Sequence, residues 1–149
     1  MTTGTLEQRD MGRVVTEIMV ENLDDLWRAR KGEIADADVR RITIADALVD
    51  TGATFLSLPT RVIQALGLET TLVRRVMTSK GPAESAVYDP VRLTIQGRTC
   101  SQDVMEVPDS VPALIGQLPL ESLDFVVDPV KQRVIGNPAH GGEQMYDLL

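Results

Sequence analysis

Short apolar runs with alternating polar positions recur along the chain and are separated by turn-forming residues. The segment 13–22 is rich in β-branched residues and predicts a strand, and 39–49 predicts a second strand that ends directly before an aspartate. Further short strands are predicted at 72–77, 85–88, 91–95, 99–107, 113–115, 125–127 and 133–135, and 55–58 is a short apolar run. Many short strands with frequent turn signals indicate a mainly-β barrel or sandwich.

Helical patterns are few and short. Pro59 precedes a predicted helix at 60–66, which Gly67 would end, and Pro119 sits at the start of another that reaches Leu123. The pattern therefore predicts a β fold that carries one or two short helices.

The segment 23–38 has a mixed, strongly charged pattern that leaves two interpretations open. Asp24 and Asp25 could cap a short helix through Trp27 and Arg30, or the whole segment could form a long hairpin loop. Packing is the favoured role for Trp27, which would anchor this segment to the rest of the domain.

The length of 149 residues fits one domain with one core. Residues 1–12 are predicted to be a loose polar segment, residues 13–136 the folded domain, and residues 137–149 a polar tail. Hydrophobic residues make up 43% of the chain and aromatic residues only 3%, so the core must be built mainly from Val, Leu, Ile and Ala.

Charge and cysteine content narrow the class of protein further. The formal net charge is −7, which argues against a nucleic-acid partner because phosphate contacts need clustered Lys and Arg. The single cysteine, Cys100, excludes an intrachain disulfide and favours the reducing cytosol. The first dozen residues lack the apolar segment of a signal peptide, and no apolar run approaches membrane-spanning length. We therefore expect a soluble cytoplasmic protein without a membrane partner.

The most informative segment is 47–54, in which three apolar residues lead into Asp50-Thr51-Gly52-Ala53-Thr54. An acid in this place lies at the end of a buried strand, where its carboxylate leaves the core and enters a loop. Gly52 allows a sharp turn there, and Thr51 supplies a hydroxyl that can brace the loop. Alone the motif is weak, since Asp-Thr-Gly occurs by chance in roughly a few per cent of chains of this length and a strand-ending Asp often only caps a turn.

Two later features add weight to this motif. A predicted hairpin with the tip Thr78-Ser79-Lys80-Gly81-Pro82 follows it, and Ala113-Leu114-Ile115-Gly116 then precedes a predicted helix. In these three parts and their order, the sequence resembles the retropepsin-like aspartic peptidases, the single-domain enzymes of retroviruses and their bacterial relatives. The resemblance covers roughly residues 13–136, and its specific matches lie at 48–54 and 114–116.

This resemblance implies a mainly-β fold, namely a closed or partly open β-barrel, and an aspartic endopeptidase without a cofactor. Members of the family hydrolyse peptide bonds with two aspartates and one bound water. The two close carboxylates share a proton, because both cannot ionise cheaply. Since this chain has one Asp-Thr-Gly, the resemblance implies a homodimer in which each subunit contributes Asp50 to one active site.

The resemblance also implies roles for the neighbouring residues. Thr51, Gly52, Ala53 and Thr54 would form the active-site loop, with Thr51 bonded across the dimer axis. The tip formed by Thr78, Ser79, Lys80, Gly81 and Pro82 would close over a peptide or protein substrate as a flap. Pro112 and Leu114 would line side-chain pockets, although Leu114 fits a core position equally well, and Ile115 is expected in the core.

Two positions depart from the retroviral pattern. Retroviral members usually carry an Asp two residues after the glycine of the motif and an Arg directly after the later glycine, where this chain has Thr54 and Gln117. The Asp and the Arg are both absent, so neither leaves a charged side chain without its partner. Thr54 and Gln117 therefore leave open which residues hold the two subunits together and bind the substrate backbone.

Other functions remain as alternatives. The same fold could serve as a catalytically silent dimerisation or peptide-binding module, since fold does not fix function. An unrelated small β-domain could also carry the motif by chance. A metal site is not indicated, because His140, Cys100 and Glu143 lack ligand spacing. A Ser-His-Asp triad is excluded as well, since the one histidine lies in the Gly-rich tail.

Overall fold

The computed structural model describes residues 13–149, and within them the chain is mainly β. The predicted loose segment at residues 1–12 lies outside the described residues. The strands are β1 (Val14–Asn22), β2 (Arg41–Val49), β3 (Leu56–Pro59), β4 (Thr70–Thr78), β5 (Gly81–Ile95), β6 (Arg98–Val107), β7 (Leu114–Ile115), β8 (Phe125–Asp128) and β9 (Arg133–Gly136). The helices are α1 (Leu23–Arg30), α2 (Thr60–Leu66) and α3 (Gln117–Ser122), with 3-10 turns at Asp36–Asp38 and Pro138–His140.

Six of the strands form a ring. The sheet runs in the order β1-β2-β7-β3-β6-β5-β4, and β5 also pairs with β1, which closes the first six strands on themselves. The closing pairs include Val20 with Leu93 and Asn22 with Val91, in antiparallel register. The expected closed or partly open β-barrel is therefore confirmed, with three short helices where the sequence predicts one or two, while β4 continues outside the ring and β8 and β9 form a separate two-stranded sheet.

The core fills the inside of this ring almost entirely with aliphatic side chains. Its fully buried members include Ile18, Leu56, Leu93 and Ile115, and Phe125 is the aromatic residue buried among them. The predicted dependence on Val, Leu, Ile and Ala follows from the aromatic-poor composition, and the observed core agrees with it.

Most predicted elements occur with small changes in their bounds. Helix α2 has the predicted bounds, and Gly67 ends it with a left-handed φ of 67° that favours glycine. Helix α3 begins at Gln117, two residues before Pro119. The two strands predicted at 85–88 and 91–95 are one long strand, β5, whose pairing with β6 is irregular between Tyr88 and Val91.

Of the two interpretations of segment 23–38, the helix is confirmed for Leu23–Arg30. Its cap is Asn22 rather than Asp24 or Asp25, because the Asn22 side chain accepts a hydrogen bond of 3.0 Å from the Asp25 N–H. The same buried amide donates to the Leu66 carbonyl at 2.8 Å. One side chain therefore joins the start of α1 to the end of α2.

Asp25 ties α1 to the chain just before β2. Its buried carboxylate accepts three hydrogen bonds from Arg40, two from the guanidinium at 2.8 and 3.0 Å and one from the backbone N–H at 3.0 Å. These bonds with Arg40 hold the pKa of Asp25 below its usual range, against the opposing effect of burial. The ionised form of Asp25 therefore stabilises the fold.

We expect D25N to lower the free energy of unfolding at neutral pH by about 2 kcal/mol, since it removes the buried carboxylate that pairs with Arg40. The loss is no larger because the Arg40 guanidinium is half exposed, so solvent screens the pair. Because the pKa of Asp25 is depressed, this contribution is complete above the usual Asp pKa of about 3.9 and is lost as pH falls through the lower folded pKa. Urea unfolding of both proteins at several pH values measures the difference, which should shrink in acid.

The matched control is D24N on the same helix. Asp24 pairs with Arg28 at 2.9 Å, but both side chains are more than half exposed. We expect D24N to change stability by about 0.5 kcal/mol or less. An equal decrease in the free energy of unfolding in D24N and D25N would show that burial of Asp25 does not strengthen its pair with Arg40.

The C-terminal segment after β9 contacts the region around α3 and β8. Asp124, which is buried, accepts hydrogen bonds from the Met145 N–H at 3.0 Å and the Asn137 side chain at 3.2 Å, and its carboxylate lies 2.7 Å from His140 Nδ1. The hydrogen bond with His140 lowers the pKa of Asp124. Arg98 lies over the Phe125 ring, 4.4 Å from its centroid, and its guanidinium also donates to the Asp124 carbonyl at 2.9 Å.

No helix within residues 13–149 is both long enough and apolar enough to cross a membrane.

Candidate active site

Asp50 is positioned by the three strands at one side of the ring. Strand β7 lies between β2 and β3, parallel to β2 through the pair Val49 and Ile115 and antiparallel to β3 through Leu56 and Ile115. Val49 and Ile115 are buried, whereas Asp50 directly after β2 is exposed. The apolar run thus enters the core and delivers the carboxylate to the surface, as the sequence predicts.

Backbone groups orient the Asp50 loop. The Asp50 N–H donates to the Ile115 carbonyl at 2.9 Å, which fixes the residue to β7. Its carboxylate Oδ1 accepts the Gly52 N–H at 3.0 Å, and its carbonyl accepts the Ala53 N–H at 3.1 Å. The loop therefore turns tightly around Asp50, and one carboxylate oxygen is held while the side chain faces solvent.

The start of α3 braces the rest of this loop. The N–H groups of Gly116, Gln117 and Leu118 donate to the carbonyls of Phe55, Ala53 and Thr54 at 3.0, 2.9 and 3.0 Å, respectively. A Cβ atom on Gly116 would lie 2.6 Å from the Phe55 oxygen and from the Thr54 carbonyl carbon. The two backbone segments can approach this closely only because residue 116 has no side chain.

A groove of about 720 Å³ lies beside the loop. One wall carries Gly52, Ala53 and Thr54, and the opposite wall belongs to the hairpin of β4 and β5. The hairpin contributes Arg75, Val76, Met77, Thr78, Ala83, Glu84 and Ser85, and the remaining lining consists of Phe55, Ser57, Met105, Glu106, Val107 and Leu114. Asp50 and Thr51 are not among the lining residues, but the loop that holds the Asp50 carboxylate forms part of the wall, and a groove of this volume can hold part of an extended peptide.

The hairpin of β4 and β5 has a tight tip. Thr78 pairs with Gly81 across the two-residue turn Ser79-Lys80, and the Thr78 hydroxyl donates to the Gly81 carbonyl at 2.8 Å. Gly81 has a φ of 108°, which favours glycine. Met77, 77% exposed, lines the groove just before the tip. The hairpin is therefore a projecting arm whose outer half, next to the tip, borders the groove.

The base of this arm is anchored through Glu106. The Tyr88 hydroxyl donates to Glu106 at 2.9 Å, and the Thr60 hydroxyl donates to the other carboxylate oxygen at 2.7 Å. The hydrogen bond with Glu106 raises the pKa of Tyr88. Strand β5 is thus fixed to β6 and to the start of α2 where the hairpin leaves the ring.

The structure brings together part of the predicted site. Within one chain, Gly52, Ala53, Thr54, Thr78 and Leu114 line the same groove. Ser79, Lys80, Gly81 and Pro82 belong to the tip of the hairpin and are not among the lining residues. Leu114 is half-buried and faces the groove, whereas Ile115 is fully buried in the core.

Pro112 lies elsewhere. It lines a separate cavity of about 260 Å³ together with Asp46 and Arg61 and is not among the residues that line the groove with Leu114. Thr54 and Gln117 form no side-chain pair, since the Gln117 amide donates instead to Glu121 at 3.1 Å. Thr51 is exposed, and its hydrogen bond across a dimer axis stays a prediction.

Several lining residues were not predicted from sequence. Ser57, Met105 and Glu106 come from strands whose groove-facing positions depend on register, namely Ser57 beside Met105 in the parallel pair of β3 and β6. Alternation within each strand marks the two faces, but it does not say which neighbour lies alongside. Among residues 13–149, no group of three or more His, Cys, Asp or Glu side chains is arranged to hold a metal ion.

Comparison with protein families matched one stretch of the chain that contains the Asp50 loop, the β4–β5 hairpin and β7. A family model described as aspartyl protease matches residues 32–127, a range that contains all three. A search of curated proteins found no match to this sequence.

Proposed function

Because the chain belongs to the retropepsin-like aspartyl protease family, we propose that it is an aspartic endopeptidase whose active site forms between two copies. The observation that carries this proposal is the exposed carboxylate of Asp50, held on a braced loop whose residues Gly52, Ala53 and Thr54 line a groove of about 720 Å³. The chain has one Asp-Thr-Gly, so the second carboxylate comes from Asp50 of the other copy, across a two-fold axis.

The chemistry follows from two carboxylates meeting at this axis. The pair holds one proton, because two adjacent negative charges repel. The ionised carboxylate takes a proton from a water molecule, which attacks the carbonyl carbon of the peptide bond, while the protonated carboxyl passes its proton to the carbonyl oxygen. The tetrahedral diol then collapses: the first carboxyl gives its new proton to the amide nitrogen, the C–N bond breaks, and the second carboxylate takes a proton back from the diol. The products are a carboxylic acid and an amine, and the pair again holds one proton. The pair titrates as a unit, so cleavage should show a bell-shaped dependence on pH.

The groove and the hairpin serve this chemistry in separate ways. The groove receives the substrate side chains on each side of the cleaved bond, with Leu114 and Val76 as apolar contacts. The hairpin tip at Ser79-Lys80 closes over the bound peptide and excludes bulk water. Its anchored base at Tyr88 and Glu106 confines the movement to the projecting part.

Cleavage of a peptide library should be inhibited by a statine-type peptide, because its hydroxyl group mimics the tetrahedral transition state between the two aspartates. Specific activity should also fall on dilution, as dimers dissociate into subunits with a single carboxylate. Mass spectrometry of the products and sedimentation of the protein measure the two effects. A dimer that binds the inhibitor but yields no products would identify a silent peptide-binding module instead.

A further inference from the structure

A second cavity, of about 440 Å³, lies between α1, the end of α2 and the middle of β5. It shares no lining residue with the groove beside Asp50. Its lining includes Gly67 and Pro90 together with the buried residues Asn22 and Asp25. The cavity is therefore a separate feature, built mainly by the segment between β1 and β2.

Trp27 is the unexpected member of this cavity. Packing is the role that its sequence context favours, yet 44% of its surface is exposed and it lines the cavity. It is also the only tryptophan of the chain. The face of an indole ring attracts cations, and Trp does so better than the other aromatic side chains. An exposed indole beside carboxylates is suited to a positively charged group.

The charges around Trp27 are unbalanced. Four carboxylates and two guanidinium groups line the cavity, and each guanidinium already pairs with an aspartate: Arg28 with Asp24 at 2.9 Å, and Arg40 with Asp25 at 2.8 Å. Glu69 and Asp89 remain, and within residues 13–149 neither forms a salt bridge. They are held side by side, because Asp89 Oδ2 accepts the Glu69 N–H at 3.0 Å and the Asp89 N–H donates to the Glu69 carbonyl at 2.8 Å.

We propose that this cavity binds a lysine or arginine side chain from a basic polypeptide segment, with Trp27 contacting the cation and Glu69 and Asp89 balancing its charge. One such contact in an open cavity contributes only about 1 kcal/mol. A segment with several basic residues gains from repeated engagement of the same site and from the net charge of −7. The site lies outside the groove beside Asp50, so a protein that carries the basic segment can bind here whether or not it is cleaved at Asp50.

Fluorescence of the full chain tests this proposal directly, because all tryptophan emission comes from Trp27. The protein is titrated at low ionic strength with acetylated hexalysine amide and, separately, with hexaglutamate. We expect a saturable change in emission with hexalysine and none with hexaglutamate. In E69Q/D89N, the dissociation constant should rise about tenfold, since two favourable charge interactions are lost.

The matched control is D103N/E143Q, which removes two charges at exposed positions outside the cavity and should bind as the unmodified protein does. W27L, followed by calorimetry, should also bind hexalysine more weakly. If E69Q/D89N does not fold, E69Q alone serves as the test. It should fold, because the Glu69 side chain forms no hydrogen bond within the described residues. Its dissociation constant for hexalysine should rise about threefold, since one charge interaction is lost. No saturable change, or equal weakening in both double variants, would overturn the proposal.

Discussion

Peptide cleavage is expected to fall by a factor of about a thousand or more in D50N, because an amide can neither take a proton from water nor share one with a second carboxylate. The fold should persist, since the amide oxygen of asparagine can still accept the Gly52 N–H that Asp50 accepts at 3.0 Å. Initial rates at saturating and limiting peptide concentrations, with sedimentation of the same samples, measure activity and assembly separately.

A covalently linked tandem of two chains sharpens this test. With D50N in one copy only, the active site would contain one carboxylate, so we expect activity as low as in the doubly substituted tandem. D46N in one copy is the matched control, because Asp46 is an exposed aspartate on the same strand, β2, and should leave activity unchanged. Half of the full activity in the D50N tandem would contradict a shared active site.

The second large effect is expected for G116A. The φ of Gly116 is −84°, which any residue adopts, so the site needs glycine for space and not for conformation. A Cβ atom would lie 2.6 Å from backbone atoms of Thr54 and Phe55, and these cannot move without moving the Asp50 loop. We expect a loss of about 2–3 kcal/mol in stability and a melting temperature lowered by roughly 5–10 °C.

Activity should fall further than stability in G116A, since a displacement of about 1 Å in an active-site loop can cost about a hundredfold in rate. Thermal unfolding and cleavage rates below the melting temperature distinguish the two losses. G32A is the control: Gly32 has a φ of 79° with open space around it, so alanine there costs only about 1 kcal/mol of backbone strain and should not affect cleavage. Normal activity in G116A would show that the loop is not held by this close approach.

Local signals in the sequence predicted the elements well where the residue itself dictates the backbone. Helix α2 has its predicted bounds because Pro59 fixes the chain before it and Gly67 takes the left-handed conformation after it. The turn at Gln96-Gly97 is similarly local, since both residues have positive φ as a two-residue hairpin requires. Asp50 could be identified because the apolar strand, the acid and the glycine are contiguous.

Features that depend on distant contacts could not be predicted from the sequence. The local pattern offers Asp24 and Asp25 as possible caps of α1, whereas Asn22 takes this role and also donates a hydrogen bond to the Leu66 carbonyl, far along the chain. The sequence around Glu106 does not indicate its hydrogen bonds, because the donors Thr60 and Tyr88 belong to two other elements, α2 and β5. The groove beside Asp50 likewise arises from strand register, which alternation alone leaves open.

Closure of the barrel has a consequence for how the chain folds. The seam is made by β1 and β5, where Val20 lies opposite Leu93, so the chain must bring together positions separated by α1, β2, β3, α2 and β4. Bringing such distant positions together costs conformational entropy before the contacts between them can stabilise the chain. β-barrels of this kind therefore fold slowly, in roughly milliseconds to seconds. Newly synthesised chains therefore pass through a stage in which the edges of β1 and β5 are open, and folding assays should find this seam among the last contacts to form.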